Sequence, residues 1–185
     1  MRVYRTGGAR ARTVHIAVLN QEELANEGIE DHTSLLIAIA DPEPVGTLEL
    51  PKHGLAKLVG SVALCFLDSS AEEHQSTWTE PVAPYGKPAS DLLMNRETGK
   101  QLWRCLLRKR DTPVEVIVIV DRGGSDRRAL SVALGICDVL RLSRENIYRP
   151  SDPTWKAMPD SKAPNDYVYC MTKNTRETIV GGGFL

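Results

Sequence analysis

Four apolar runs without polar alternation constrain the fold of this chain more than any other feature. They span residues 14–19, 35–40, 62–67 and 114–120, and the last contains five successive Val or Ile residues at 116–120. A strand with one face in water alternates apolar and polar residues, whereas a continuous run indicates a strand that is covered on both faces. The sequence therefore predicts an α/β fold of three layers, with a mainly parallel sheet of four to five strands flanked by helices.

Helices are predicted between these runs. Apolar residues recur at helical spacing over about 95–109 and again over about 127–141, and residues 166–171 favour a last helix. Pro113 separates the first of these helices from the strand that follows it. We expect these residues to be buried between the helices and the sheet: Leu102, Trp103, Leu106, Val118, Leu130 and Leu134.

The length of 185 residues corresponds to one domain that can bury roughly 70% of its unfolded surface. Residues 1–12 are basic and predict a flexible N-terminal arm, and residues 176–185, which include three successive glycines, predict a flexible tail. The single domain is predicted at 13–175. Residues 69–91 contain three prolines and little periodicity, which predicts a long loop of the kind that often carries function.

The charge distribution limits the classes of partner. A formal net charge of −1 argues against an extensive nucleic-acid or anionic-lipid surface. No stretch approaches the ~20 apolar residues of a membrane span. The first five residues lack the apolar core of a signal peptide. The prediction is a cytoplasmic protein without membrane contact, either in its own cell or in an infected host cell.

The four cysteines show no Cys-x-x-Cys pair, so neither metal spacing nor a cofactor is predicted. Cys65, Cys105 and Cys137 lie in apolar stretches and are predicted to be small buried side chains. None of the four, Cys170 included, combines a glycine-rich turn with an arginine six residues later. A nucleophilic role for any of them is therefore disfavoured.

The candidate site follows the strongest strand. Asp121 ends the apolar run, two glycines permit a turn, and a helix begins near Arg127. Backbone N–H groups in such a turn and the helix N-terminus suit an anion, and Arg127 is placed to grip phosphate oxygens. An ordinary strand–helix turn explains the spacing equally well. The candidate anion-binding residues are Arg122, Gly123, Gly124, Ser125, Asp126, Arg127 and Arg128.

This segment resembles the phosphate loop of the small cysteine-dependent protein tyrosine and dual-specificity phosphatases, especially a prokaryotic and phage-type branch. That loop reads His-Cys, five residues, Arg, and then Ser or Thr. Val120 stands at the His, Asp121 at the nucleophilic Cys, Gly124 at the internal glycine, Arg127 at the Arg, and Arg128 at the Ser or Thr.

Further segments resemble the same branch in the same order. They are residues 36–42, which end in Asp-Pro, residues 62–68, which end in Phe-Leu-Asp, the helix at 94–107, and the closing stretch within 148–169. The similarity covers about residues 14–173. It implies a phosphatase-like domain whose ligand is a phosphorylated small molecule or a phosphoprotein.

The departures from the family pattern decide the expected chemistry. Asp121 replaces the thiolate that attacks phosphorus, and Arg128 replaces the hydroxyl that helps the thiolate leave. A carboxylate at ~4 Å from a phosphate costs roughly 4 kcal/mol per pair of like charges at an effective dielectric near 20, and Asp126 adds a second one. We therefore expect a pseudophosphatase, a binding or regulatory module in which Asp121 pairs with Arg127 to close the loop.

Several alternatives remain open at the level of sequence. One is an active phosphatase or other phosphoryl hydrolase, in which Asp68 at a strand end is either the general acid or a cap for the following loop. Another is a structural or interaction protein with a vestigial loop. A third is the magnesium site of von Willebrand A domains, in which Asp121 and Ser125 provide oxygen ligands and Gly123 replaces the first Ser.

Overall fold

The computed structural model describes residues 13–42, 54–108, 111–123, 126–155 and 162–180. Five parallel strands form the main sheet, and a separate two-stranded antiparallel hairpin lies outside it. In chain order the strands are β1 (His15–Leu19), β2 (Thr33–Ala40), β3 (Lys57–Cys65), β4 (Pro81–Val82), β5 (Lys87–Pro88), β6 (Val116–Asp121) and β7 (Ile147–Tyr148). The main sheet has the order β3-β2-β6-β1-β7.

The helices of the described chain are α1 (Gln21–Leu24), α2 (Ala89–Leu92), α3 (Arg96–Leu107), α4 (Arg127–Leu140) and α5 (Asp166–Val180). Short 3-10 turns lie at Glu72–Thr77 and Arg144–Asn146. None of the described helices is long and apolar enough to cross a bilayer. The predicted α/β fold with a parallel sheet flanked by helices is confirmed.

Strand β6 occupies the centre of the sheet, with β1 on one side and β2 on the other. Val116 pairs with His15 of β1 and with Ser34 of β2, and all six residues of β6 are buried. Ile117 and Ile119 belong to the larger core cluster beneath α3, α4 and α5. The alternate residues of β6 face a smaller cluster that includes Leu24 of α1. Coverage on both faces explains why the run has no polar alternation.

Most of the predicted core residues are confirmed, with two corrections. Leu102, Trp103, Val118, Leu130 and Leu134 are buried, whereas Leu106 is half-buried and packs on the edge of the core. The second correction concerns the cysteines: Cys137 is buried, Cys105 is half-buried and Cys65 is exposed. Cys65 ends β3, and an edge strand leaves more of its surface uncovered than a central strand does.

Helix α5 packs closely against α3 and α4 at two glycines. A Cβ at Gly99 of α3 would stand 2.2 Å from Thr175 Oγ1, and one at Gly135 of α4 would stand 2.8 Å from Thr172 Cγ2. Both glycines therefore serve close helix packing. The helix continues past residue 176, where the sequence predicts a tail, as far as Val180.

The remaining predictions about segments concern one loop and the two ends of the chain. The predicted loop at 69–91 contains the first 3-10 turn, the β4–β5 hairpin and the start of α2. The predicted arm at 1–12 and the last five residues, 181–185, lie outside the described residues.

Candidate functional site

The site is built at the carboxyl edge of the central strand. Asp121 is the last residue of β6, pairs with Ile39 of β2, and is 3% exposed. The N–H of Arg122 still donates to the carbonyl of Ile39 at 2.8 Å, so the strand holds Asp121 firmly in register. In open parallel sheets this edge is where ligands bind.

Both carboxylate oxygens of Asp121 are engaged by the protein itself. Arg128 Nε donates to Oδ2 at 2.9 Å and Arg128 Nη2 donates to Oδ1 at 2.7 Å, which makes a bidentate fork. The N–H of Gly123 donates to Oδ1 as well, at 2.8 Å. The two side chains of the pair are each 2% exposed, so the ion pair is shielded from water.

Arg128 also joins the ends of two further strands. Its Nη1 lies 2.7 Å from Oδ1 of Asp41, which follows β2, and donates a short hydrogen bond to the carbonyl of Phe66, which follows β3. The guanidinium lies 5.7 Å from the centre of the Phe66 ring, within range of a cation–π contact. Burial lowers the pKa of Arg128, but its hydrogen bonds and charge contacts with Asp121 and Asp41 outweigh burial, and the net shift is upward.

Gly123 is required by this ion pair for a steric reason. A Cβ at residue 123 would stand 2.5 Å from Arg128 Nη2 and 3.2 Å from Asp121 Oδ1. Any other side chain would therefore require the guanidinium to shift within its fork. Gly124 and Ser125, which complete the predicted loop, lie outside the described residues.

The expected pairing of Asp121 with Arg127 is wrong; the partner is Arg128. Consecutive helical residues point about 100° apart, so one of the two arginines faces the sheet and the other does not. The side chain of Arg127 is 54% exposed, with Nε 3.9 Å from Asp68 Oδ2 and Nη2 donating to the carbonyl of Pro164 at 3.0 Å. Arg128 begins the wholly buried stretch 128–137 of α4, so it is the arginine that faces the sheet.

Asp126 is neutralised by a residue that the sequence did not indicate. Arg149 Nε donates to Asp126 Oδ2 at 2.9 Å, Nη2 makes a second, short hydrogen bond, and Ser151 Oγ lies 3.4 Å away. The guanidinium of Arg149 stands 5.3 Å from the centre of the Trp155 ring. Asp126 precedes α4 but makes no side-chain cap to its N–H groups.

Asp68 links the end of β3 to the start of α5. Its Oδ1 accepts from Asn165 Nδ2 at 2.8 Å, and its Oδ2 is the atom that faces Arg127 at 3.9 Å. The structure thus brings Asp68 and Arg127 together. The hydrogen bond from Asn165 also holds Asp68 at the start of the loop that follows β3. Arg122 is exposed.

A cavity of about 390 Å³ lies beside Asp121 at this edge of the sheet. Its lining carries three carboxylates and one guanidinium, so carboxylates predominate. The lining residues are Leu19, Asn20, Glu23, Asp121, Asp126, Arg149 and Ser151. A second cavity, of about 460 Å³, lies on the far side of Arg127 towards α5.

The described residues bear on two other kinds of site: a metal site, and a phosphate loop around a cysteine. Among them, no three His, Cys, Asp or Glu side chains are grouped to hold a metal ion, and both oxygens of Asp121 already accept hydrogen bonds. Arg176 follows Cys170 by six residues, but both lie within α5. A continuous helix directs its N–H groups to its own carbonyls, so this pair has no phosphate loop around it.

Searches with this chain found no matching family model, no match among curated proteins and no match among solved structures.

Proposed function

We propose that this chain is a phosphatase-like domain that has lost hydrolysis and acts as a binding or regulatory module. The observation that carries the proposal is that both carboxylate oxygens of Asp121 already accept hydrogen bonds within the protein. The side chain at the position of the family's nucleophile is 2% exposed and has both oxygens held by Arg128 and Gly123.

A nucleophile needs a lone pair that the substrate can reach without a large free-energy cost for breaking the hydrogen bonds it already accepts. Attack by Asp121 would first break a buried, charge-assisted fork, and breaking a buried ion pair costs about 3–5 kcal/mol. That cost alone corresponds to roughly a 100- to 5,000-fold slower reaction, since each 1.36 kcal/mol is tenfold in rate. The guanidinium of Arg128 is also buried, at the sequence position where the family that the loop resembles has a small hydroxyl.

The cavity beside Asp121 is the surface through which we propose that the module binds its ligand. A phosphate dianion entering it would meet Glu23 and Asp126, whereas Arg149 is already paired with Asp126. We expect free phosphate to bind no tighter than the millimolar range, which corresponds to about 4 kcal/mol. A phosphorylated ligand therefore needs contacts beyond its phosphate.

Hydrolysis of an aryl phosphate by the purified protein tests the loss of catalysis. We expect turnover at the level of the uncatalysed reaction, with and without Mg²⁺. Asp121→Asn is the control, because it keeps the size of the side chain and removes its charge. Clear turnover by the protein that disappears in Asp121→Asn would contradict the proposal.

Restoring the family pattern tests the resemblance itself. In Asp121→Cys/Arg128→Ser the thiol and the hydroxyl return together, and Arg127 is unchanged. We expect this double variant to bind vanadate more tightly than the parent protein does and to gain measurable hydrolysis. Asp121→Cys alone leaves the buried Arg128 with Asp41 as its carboxylate partner and serves as the comparison. If the folded double variant shows neither gain, the loop is vestigial and the fold serves a structural role.

A further inference from the structure

We propose that Ser69 and His74, in the segment after β3, form a nucleophile–base pair for acyl transfer to Ser69. Ser69 Oγ lies 3.0 Å from His74 Nε2, within the 2.6–3.2 Å that joins a nucleophile to its base. The sequence did not indicate this pair, because both residues fall in a segment predicted as a loop without periodicity.

Thr77 gives the other ring nitrogen of His74 a polar partner. Thr77 Oγ1 donates its proton to the carbonyl of His74 at 3.4 Å, so its oxygen remains an acceptor. His74 Nδ1 lies 3.4 Å from that oxygen, within reach to donate to it. The proposal uses the tautomer with the proton on Nδ1, in which Nε2 faces the hydroxyl of Ser69 as an acceptor, as a general base must.

The backbone supports this placement. His74 has φ −118° and ψ 18°, outside the helical range within the 3-10 turn, and this break lets its ring turn back towards Ser69. Ser70 makes a different set of contacts: its Oγ accepts from the N–H of Glu73 at 3.3 Å, and its N–H donates to the Glu73 carboxylate at 3.1 Å. The two neighbouring serines therefore differ in environment, and Ser69 is the one with a base beside it.

The site proposed for the acyl donor is the cavity of about 460 Å³ that adjoins the segment carrying the pair. Its wall begins at Ser70 and carries Glu72, Glu73 and Asp166 against Arg127. Carboxylates outnumber the single guanidinium, so the cavity favours an uncharged or cationic ester over an anionic one.

The step balances without a cofactor. Ser69 Oγ forms a bond to the acyl carbon while its proton passes to His74 Nε2. The carbon–oxygen bond of the ester breaks, and the leaving alkoxide takes that proton. Water then repeats the exchange, which releases the carboxylic acid and regenerates Ser69.

A fluorophosphonate probe tests the pair directly, because it forms an Oγ–P bond with an activated serine and loses fluoride. We expect one adduct per folded chain, located on Ser69 by mass spectrometry of its peptides, and acetylation of the same residue by 4-nitrophenyl acetate. Ser69→Ala should abolish the adduct. His74→Gln should slow its formation about 100-fold or more, the lower range of general-base catalysis.

Ser70→Ala is the matched control, since it removes the neighbouring hydroxyl and leaves the pair intact. Its labelling rate should stay within about twofold of the parent rate, well below the general-base effect. Three results would each overturn the proposal: no adduct on the folded protein, equal labelling of Ser69→Ala, or equal loss in Ser70→Ala and Ser69→Ala. None of these outcomes depends on the chemistry of Asp121, because Ser69 lies outside the 121–128 segment.

Discussion

Replacing either partner of the Asp121–Arg128 pair should destabilise the protein far more than replacing an exposed ion pair. Asp121→Asn removes the fork and leaves the buried guanidinium with Asp41 as its carboxylate partner. Arg128→Met leaves a buried carboxylate that, within the described part of the chain, keeps the N–H of Gly123 as a donor. Removing one partner of a buried pair costs about 3–5 kcal/mol. A Coulomb energy of about 4 kcal/mol at 4 Å and an effective dielectric of 20 agrees with that range.

The double variant Asp121→Asn/Arg128→Met should cost no more than either single change, because it leaves no isolated buried charge at this position. We expect a coupling energy of about 3 kcal/mol or more, at or above the upper end for residues in direct contact. Urea unfolding followed by circular dichroism measures all four proteins. With a slope near 2 kcal/mol per molar urea, a loss of 4 kcal/mol moves the midpoint down by about 2 M.

An exposed pair in α3 provides the matched control. Arg104 Nη1 lies 3.1 Å from Glu97 Oε1, and the two side chains are 56% and 57% exposed. Glu97→Gln should cost less than about 1 kcal/mol, as exposed ion pairs generally do. Losses below 1 kcal/mol for both single variants at the buried pair, or strictly additive losses in the double variant, would refute the reasoning.

Two further predictions concern the packing of α5 and its acid sensitivity. Gly99→Ala and Gly135→Ala should each destabilise the protein by about 1–3 kcal/mol in urea unfolding, because each added methyl enters the space of a threonine of α5. The control is Gln101→Ala on the exposed face of α3, which should leave the free energy of unfolding nearly unchanged. Hydrogen bonds from Arg144 hold the pKa of Asp138 below its usual value against the effect of burial, with Tyr169 assisting. The stabilisation this gives is complete above the unfolded pKa of about 3.9 and is lost as pH falls through the lower folded pKa. Asp138→Asn should therefore flatten the decline of the urea midpoint below about pH 4, and an unchanged slope would contradict the assignment.

The sequence by itself determined the strands of the sheet and the location of the candidate site at the end of its central strand. Continuous apolar runs are stable as strands when both faces are covered, which predicts the parallel sheet. The run at 116–120 has the densest β-branched sequence, and it became the central strand of the sheet, between β1 and β2. Asp121 at its end, glycines after it and a helix beyond it predicted a site at the carboxyl edge.

The tertiary structure alone decided which charges meet there. Arg128 contacts Asp41 and Phe66, which lie 87 and 62 residues away in sequence. Which of two adjacent arginines faces inward depends on the rotation of α4 against the sheet, a property set by packing across the whole core. The same dependence explains the exposure of Cys65, because strand order, which is not written in any local pattern, placed β3 at an edge.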